Sequence, residues 1–173
     1  MNSEPHIKHS TIISDESHRV VVMWNKLGHS VVGRKLFNFM LGRVVPYSGN
    51  IKAEVLSLGD GEVRVAMNDR RAVRNHLKSI HAIALANLGE LASGMAMFSK
   101  VTNSTRAIVV DLEIKYLKKA RGRLIASGKA SPPDIIDSPI KSIVEAEIKD
   151  ADGDVVATIK VHWLLSPPTD KTN

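Results

Sequence analysis

The stretch Ser79 to Phe98, SIHAIALANLGELASGMAMF, decides the fold. Its large apolar residues are Ile80, Ile83, Leu85, Leu88, Leu91, Met95 and Met97, with alanine at 82, 84, 86, 92 and 96. Only Ser79, His81, Asn87, Glu90 and Ser93 are polar. A helix that is apolar nearly all round belongs inside a protein. The run is too short and too rich in small residues to read as a membrane span.

Beyond this segment the pattern changes to period two. Ile108, Val110, Leu112, Ile114 and Tyr116 alternate with Asp111, Glu113 and Lys115. Segments around Leu124–Gly128 and Val144–Ile148 alternate in the same way. A long strand carrying Val155, Ala157, Ile159, Val161, Trp163 and Leu165 closes the series. Asp152-Gly153 marks a hairpin turn before it. Upstream, two strands are expected at Ile51–Leu58 and Glu62–Met67, joined by Gly59-Asp60-Gly61 with φ > 0 tolerated at both glycines. Earlier still, Val20, Trp24, Leu27 and Val31, then Val32, Leu36 and Met40, fall at helical spacing from Val20 to Leu41. Gly28 and Gly33 weaken or split that helix, and Pro46, Ser48 and Gly49 end it. The order helix, β, β, buried helix, β, β, β, β, with mostly hairpin connections, predicts an α+β protein. A curved antiparallel sheet wrapped around the apolar helix is the economical packing. Residues 1–18 and 167–173 read as tails, and 19–166 as a single domain whose helical segment spans 20–45.

The 173 residues include no cysteine. That excludes a thiol nucleophile, a Cys-ligated zinc and an iron–sulfur cluster. Met1–Ser10 is polar and carries Glu4, so no signal peptide is expected, and a cytoplasmic location is the default. The net charge is +6, unevenly spread. Residues 61–130 hold 13 basic and 5 acidic side chains, whereas residues 131–173 hold 4 and 8. The basic surplus should attract an anion: nucleic acid, a membrane surface or a phosphorylated small molecule. With 4% aromatic residues there is little stacking surface, and the basic residues are interleaved with buried strands, so nucleic acid is not the expected partner; no membrane partner is expected either.

No G-x-S-x-G, Walker A or G-x-G-x-x-G occurs. His76 and His81 lack acidic neighbours, so no metal site is expected. Glu90 remains, the only acidic residue from Arg70 through Arg106. Burying a carboxylate costs several kcal/mol unless it is paired, or else its pKa rises. A raised pKa makes Glu90 a candidate general base; the alternative is a structural carboxylate paired with an arginine or with backbone groups. His81 lies nine residues earlier, about 2.5 turns, and so points to the opposite face. The two cannot cooperate within one chain unless His81 sits just outside the helix; a two-fold dimer resolves this. His81 otherwise reads as a capping or packed histidine. The helix start offers unpaired N–H groups to a carbonyl oxygen, and Asn75 either adds an amide donor or simply forms a turn.

Asn75-His76-Leu77-Lys78-Ser79-Ile80-His81-Ala82-Ile83, continuing to Leu88-Gly89-Glu90, resembles the signature of hotdog-fold acyl-CoA thioesterases, nearest the PaaI-like branch. That signature has Asn or Gln, His-Gly-Gly six residues on, and Leu-Ala-Asp or Leu-Ala-Glu ending nine residues past the His. Tyr116-Leu117-Lys118-Lys119-Ala120-Arg121-Gly122 resembles the Tyr-Leu-x-Pro-Ala-x-Gly strand end that often follows. The resemblance covers about Pro46 to Ser166. It implies a hotdog fold, a homodimer or homotetramer, and hydrolysis of an acyl-CoA thioester, with CoA as part of the substrate and no further cofactor. Carried onto this chain, Glu90 is the base or nucleophile. The Ala82 N–H polarises the carbonyl beside Ile83, and Asn75 and His81 of the other subunit position carbonyl or water. Ala82-Ile83 replace two glycines, and Gly94, with Ser93 beside it, replaces a common hydroxyl one turn after the acid. These departures favour an alternative: a hotdog protein that binds an acyl thioester without hydrolysing it. Lys118, Lys119, Arg121 and Arg123 are expected at a hairpin, either meeting the CoA phosphates or forming a solvated turn.

Overall fold

Residues 17–134 and 136–167 are described by a computed structural model of the chain. The expected tails lie outside the described residues except for Ser17, His18 and Pro167, and the first two are already engaged. Ser17 bridges Thr102, while the His18 ring stacks on Phe98 at 4.4 Å and caps the first helix. The helical segment splits at Gly28–Ser30, giving α1 (Arg19–Leu27) and α2 (Val31–Val44). Gly28 caps the end of α1, its N–H donating to the Trp24 carbonyl, and Ser30 starts α2, its Oγ accepting from the Gly33 N–H at 2.9 Å. α2 stops at Val44, just before Pro46, as expected, but Pro46 is more than a stop. It opens a further short helix, α3 (Pro46–Gly49), because a first-turn proline sacrifices no hydrogen bond there.

Next come β1 (Glu54–Gly59), β2 (Glu62–Met67), the central α4 (Ala82–Phe98), β3 (Arg106–Tyr116), β4 (Leu124–Lys129), β5 (Ile140–Lys149) and β6 (Val155–Ser166). The β1–β2 turn takes positive φ at Asp60 (49°) and Gly61 (80°), not at both glycines. All six strands form one antiparallel sheet in the order β1-β2-β4-β5-β6-β3. This is the hotdog arrangement: the sheet curves round α4, and two connections cross it. One runs from β2 through α4 to β3, the other from β3 back to β4.

α4 earns its place by being coated. Twelve of its 17 residues are buried, against Val65, Leu124, Val144, Ile148, Ile159 and Trp163 of the sheet. Two glycines bring helix and sheet together. A Cβ on Gly89 would meet Ile159 Cδ1 at 2.6 Å, and one on Gly128 of β4 would meet the Ala92 carbonyl oxygen at 3.1 Å. At the other margin, α2 lies along β1. The Asn38 side-chain amide bonds the Val55 backbone twice, accepting from N–H at 2.7 Å and donating to C=O at 3.3 Å.

These contacts separate two glycines of one helix. Gly89→Ala is expected to lower stability by about 1–3 kcal/mol, the usual cost of overpacking a core. At Gly94 a Cβ would sit 3.5 Å from Trp163, an ordinary contact. Gly94→Ala is therefore expected to be neutral or stabilising by up to about 1 kcal/mol through helix propensity. Urea denaturation of the two variants checks the contrast.

Candidate active site along the central helix

Apart from Phe98, the residues of α4 that are not buried are Ala82, Ile83, Ala86 and Glu90. Ile83, Ala86 and Glu90 fall at i, i+3 and i+7, one stripe running down the helix from its start. Glu90 is the charged member. It is half-buried, and no cation lies within ion-pair distance among the described residues. Burial with nothing to offset it pushes the Glu90 carboxyl above the ordinary glutamate range. A carboxylate so placed is a stronger base than one in water.

The start of α4 is built by its approach. His81 is the N-cap, just outside the helix, and its Nδ1 accepts from the Ile83 N–H at 3.1 Å. The Ala84 and Leu85 N–H groups both reach the His81 carbonyl. Of the first four amides, that of Ala82 is the one with no acceptor among the described residues. It lies at the positive end of a buried helix dipole. Asn75 accepts at Oδ1 from the Leu77 and Ser79 N–H groups and the Ser79 hydroxyl, so its oxygen holds the turn and its Nδ2 amide is left to donate. Tyr116, at the end of β3, donates its hydroxyl to the Ala82 carbonyl at 3.2 Å.

Asp69 was not singled out in the sequence, yet it ties two loops together behind the helix start. It accepts from Arg74 Nε at 2.6 Å and from the Gly122 N–H at 3.0 Å. The Arg74 hydrogen bond holds its carboxyl below the ordinary aspartate range. Asn87 is the second residue missed. It is buried one turn before Glu90, donates weakly to the Tyr47 carbonyl at 3.5 Å, and leaves Oδ1 without a partner. An asparagine inside an otherwise apolar run was its only signal. Beside it, α2, α3, β1 and Leu91 line an open cleft of about 460 Å³, whose walls include Leu41, Val45 and Ala53.

Other expected residues sit elsewhere. Ser93 is fully buried; its hydroxyl donates to the Glu90 carbonyl at 2.9 Å and accepts from Trp163 Nε1 at 3.3 Å. Gly94 packs on Trp163. Both lie one turn beyond Glu90 on the same side of α4, where Trp163 covers the helix. The basic group at 118–123 is not on a hairpin, because β3 and β4 are separated by β6 and β5; it lies on the crossover between them. Nor is it a free cluster. Lys118 is held by Asp150 (2.8 Å) and Asp154, and its hydrogen bond to Asp150 is the main reason its pKa stands well above the ordinary lysine range. Arg123 lies 3.6 Å from Glu54. Lys119 and Arg121 remain exposed and outside any ion pair among the described residues. Segment-wise charge counting missed this, since the acidic partners come from distant stretches of chain. The one cluster with metal-ligand composition among the described residues, Asp111, Glu113 and His162, is largely exposed on the outer sheet face.

Residues 33–165 match the family described as a domain of unknown function, DUF4442. No curated protein matches the sequence. Among solved structures, the structural-genomics protein APC5556 is 26% identical, with a TM-score of 0.73 over 86% of this chain and 97% of its own. A Pseudomonas aeruginosa protein of unknown function, described as a probable thioesterase, is 22% identical, with a TM-score of 0.67 over 77% and 95%. Thioesterase HI1161 from Haemophilus influenzae is 10% identical, with a TM-score of 0.66 over 77% and 92%. At these identities the thioesterases share the hotdog fold with this chain.

The setting of Glu90 makes a stability prediction. A carboxyl whose pKa is raised by folding binds its proton more readily in the folded chain, so ionising it costs stability as pH rises above the unfolded value. Glu90→Gln is therefore expected to match wild type below the ordinary glutamate pKa and to exceed it increasingly towards neutral pH. Denaturation midpoints across that range test this; a Gln variant less stable than wild type at neutral pH would contradict it.

Proposed function

The chain belongs to the DUF4442 family, and within it we propose that the protein is a thioesterase, hydrolysing an acyl-CoA to the free acid and CoA. The observation that carries this reading is Glu90: an unpaired, half-buried carboxylate at the end of the one open stripe of α4, with a raised pKa. Glu90 takes a proton from water as the water oxygen bonds to the thioester carbon. The Ala82 N–H, unmatched at the helix start, stabilises the negative charge on the carbonyl oxygen. The C–S bond then breaks, and the thiolate of CoA recovers the proton from Glu90.

Eight residues of helix separate Ala82 from Glu90, about 12 Å at 1.5 Å per residue, so one subunit cannot bring both to one carbonyl. A two-fold partner resolves this. β3 is a sheet edge, and Ile108, Val110, Tyr116 and Leu117 on or just past it are exposed, as is Ile83 at the neighbouring helix start. Pairing β3 with its copy sets each helix start, with Asn75 and His81, towards the other subunit's Glu90. The cleft beside Leu91 suits an apolar acyl chain, and Lys119 and Arg121 are the cations left for CoA phosphates. A second reading, binding without hydrolysis, is favoured by Ile83, which stands 55% exposed in the stripe where the family resemblance has glycine. Bound CoA with no turnover across acyl lengths would decide for it.

Purified protein is expected to release free CoA from part of an acyl-CoA panel, and Glu90→Gln to lower kcat by about 10²–10⁴-fold, the usual range for losing a general base. In the wild type the acid limb of kcat/KM should lie above the ordinary glutamate pKa. Unchanged turnover in the Gln variant would remove Glu90 from the mechanism. The shared site has its own test. Mixing refolded Glu90→Gln and Asn75→Ala subunits should restore about a quarter of wild-type activity, because half the dimers are mixed and each has one intact site. No recovery, with mixed dimers demonstrated by differential tagging, would place the whole site in one subunit.

A further inference from the structure

The outer face of α2 is apolar and basic; the nearby carboxylate, Glu54 across the cleft from Phe39 and Arg43, lies 3.6 Å from Arg123. Val32, Leu36, Phe39 and Met40 project from it at 77, 47, 59 and 39% exposure. Lys35 and Arg43 share that face, with Arg43 4.6 Å over the Phe39 ring. From Ser17 to Ala53 the chain has six basic side chains, Arg19, Lys26, Arg34, Lys35, Arg43 and Lys52, and no Asp or Glu. None of the six forms an ion pair among the described residues, whereas the sheet pairs many of its own charges. A helix apolar on both sides but coated on only one presents a contact surface.

We propose that this face of α2 docks onto an anionic phospholipid bilayer, lying in the plane of the interface. The charge chooses the occupant. Apolar side chains flanked by Lys and Arg suit the headgroup boundary of a negative membrane. A second copy laid on the same face about a two-fold axis would bring Lys35 and Arg43 against their own like charges. No helix among the described residues is long and apolar enough to cross a membrane, so the attachment is peripheral. This departs from the expectation of no membrane partner. Phe39 and Arg43 also line the cleft beside Leu91. The inference goes beyond thioester hydrolysis and holds whether or not the protein hydrolyses anything.

Co-sedimentation with vesicles tests it, using phosphatidylcholine alone and equal parts phosphatidylcholine and phosphatidylglycerol. The full chain is expected to sediment with the mixed vesicles at low salt and not with the neutral ones. It should be released near 1 M salt, where the Debye length falls to about 3 Å. Lys35→Glu, at an exposed position, should weaken binding at least about fivefold, since one basic residue near such a surface is worth about 1 kcal/mol. Leu36→Glu should abolish it, with thermal midpoints near wild type in both. Equal binding to both vesicle types, binding to neither, or binding unchanged in both variants would overturn the proposal. So would a smaller native mass of Leu36→Glu in sedimentation equilibrium, which would make the face a contact between copies.

Discussion

An apolar helix that cannot face water governs this structure. Covering α4 requires a sheet long enough to curve round it and glycines at 89 and 128 to let the two layers touch. The helical layer of α1 to α3 covers part of what the sheet leaves. What no layer covers is the narrow stripe of Ala82, Ile83, Ala86 and Glu90. Exposure is thus rationed by packing, and the single carboxylate of the helix falls where it is rationed out. The same burial that coats the helix keeps Glu90 out of bulk solvent and raises its proton affinity.

Much of this was legible in the sequence. The all-round apolarity of Ser79–Phe98 pointed to the buried helix, and period-two alternation to all six strands, with β1 starting three residues later and β5 four residues earlier than read. Glu90 stood out because a carboxylate in such a run demands a reason. The crossing connections were not legible, because alternation reports which face of a strand is wet and not which strand lies beside it. The role of 118–123 failed for that reason: Lys118 meets Asp150 and Asp154 only because β3 runs beside the β5–β6 turn. Asn87 and Asp69 were hidden because their significance lies in partners, absent for one and distant in sequence for the other. The short α3 was missed because a proline that ends one helix can also be the first residue of the next.

Charge behaves differently in the two layers. Across the sheet, cations and anions interleave: Lys129 with Glu62, Lys160 with Glu145 and Lys118 with two aspartates. Such pairs on exposed strands add little stability but leave the surface electrically mixed. The helical layer has no anion to mix with, so its six cations act together. Residues 17–53 thus carry +6, whereas residues 54–173, with 17 basic and 15 acidic side chains, carry only +2.

The bond between Asn38 and Val55 has a consequence for assembly. An antiparallel sheet with two bare margins is a polymerisable unit, able to add copies at either side without limit. Here the side-chain amide of Asn38 occupies the outward N–H and C=O of Val55, and the β1 ladder is further interrupted between Val55 and Ser57. One margin is thereby terminated while that of β3 stays bare. A strand added at β1 would have to displace Asn38 from Val55, whereas one added at β3 displaces nothing, so an asparagine on a helix makes the two margins of the sheet unequal.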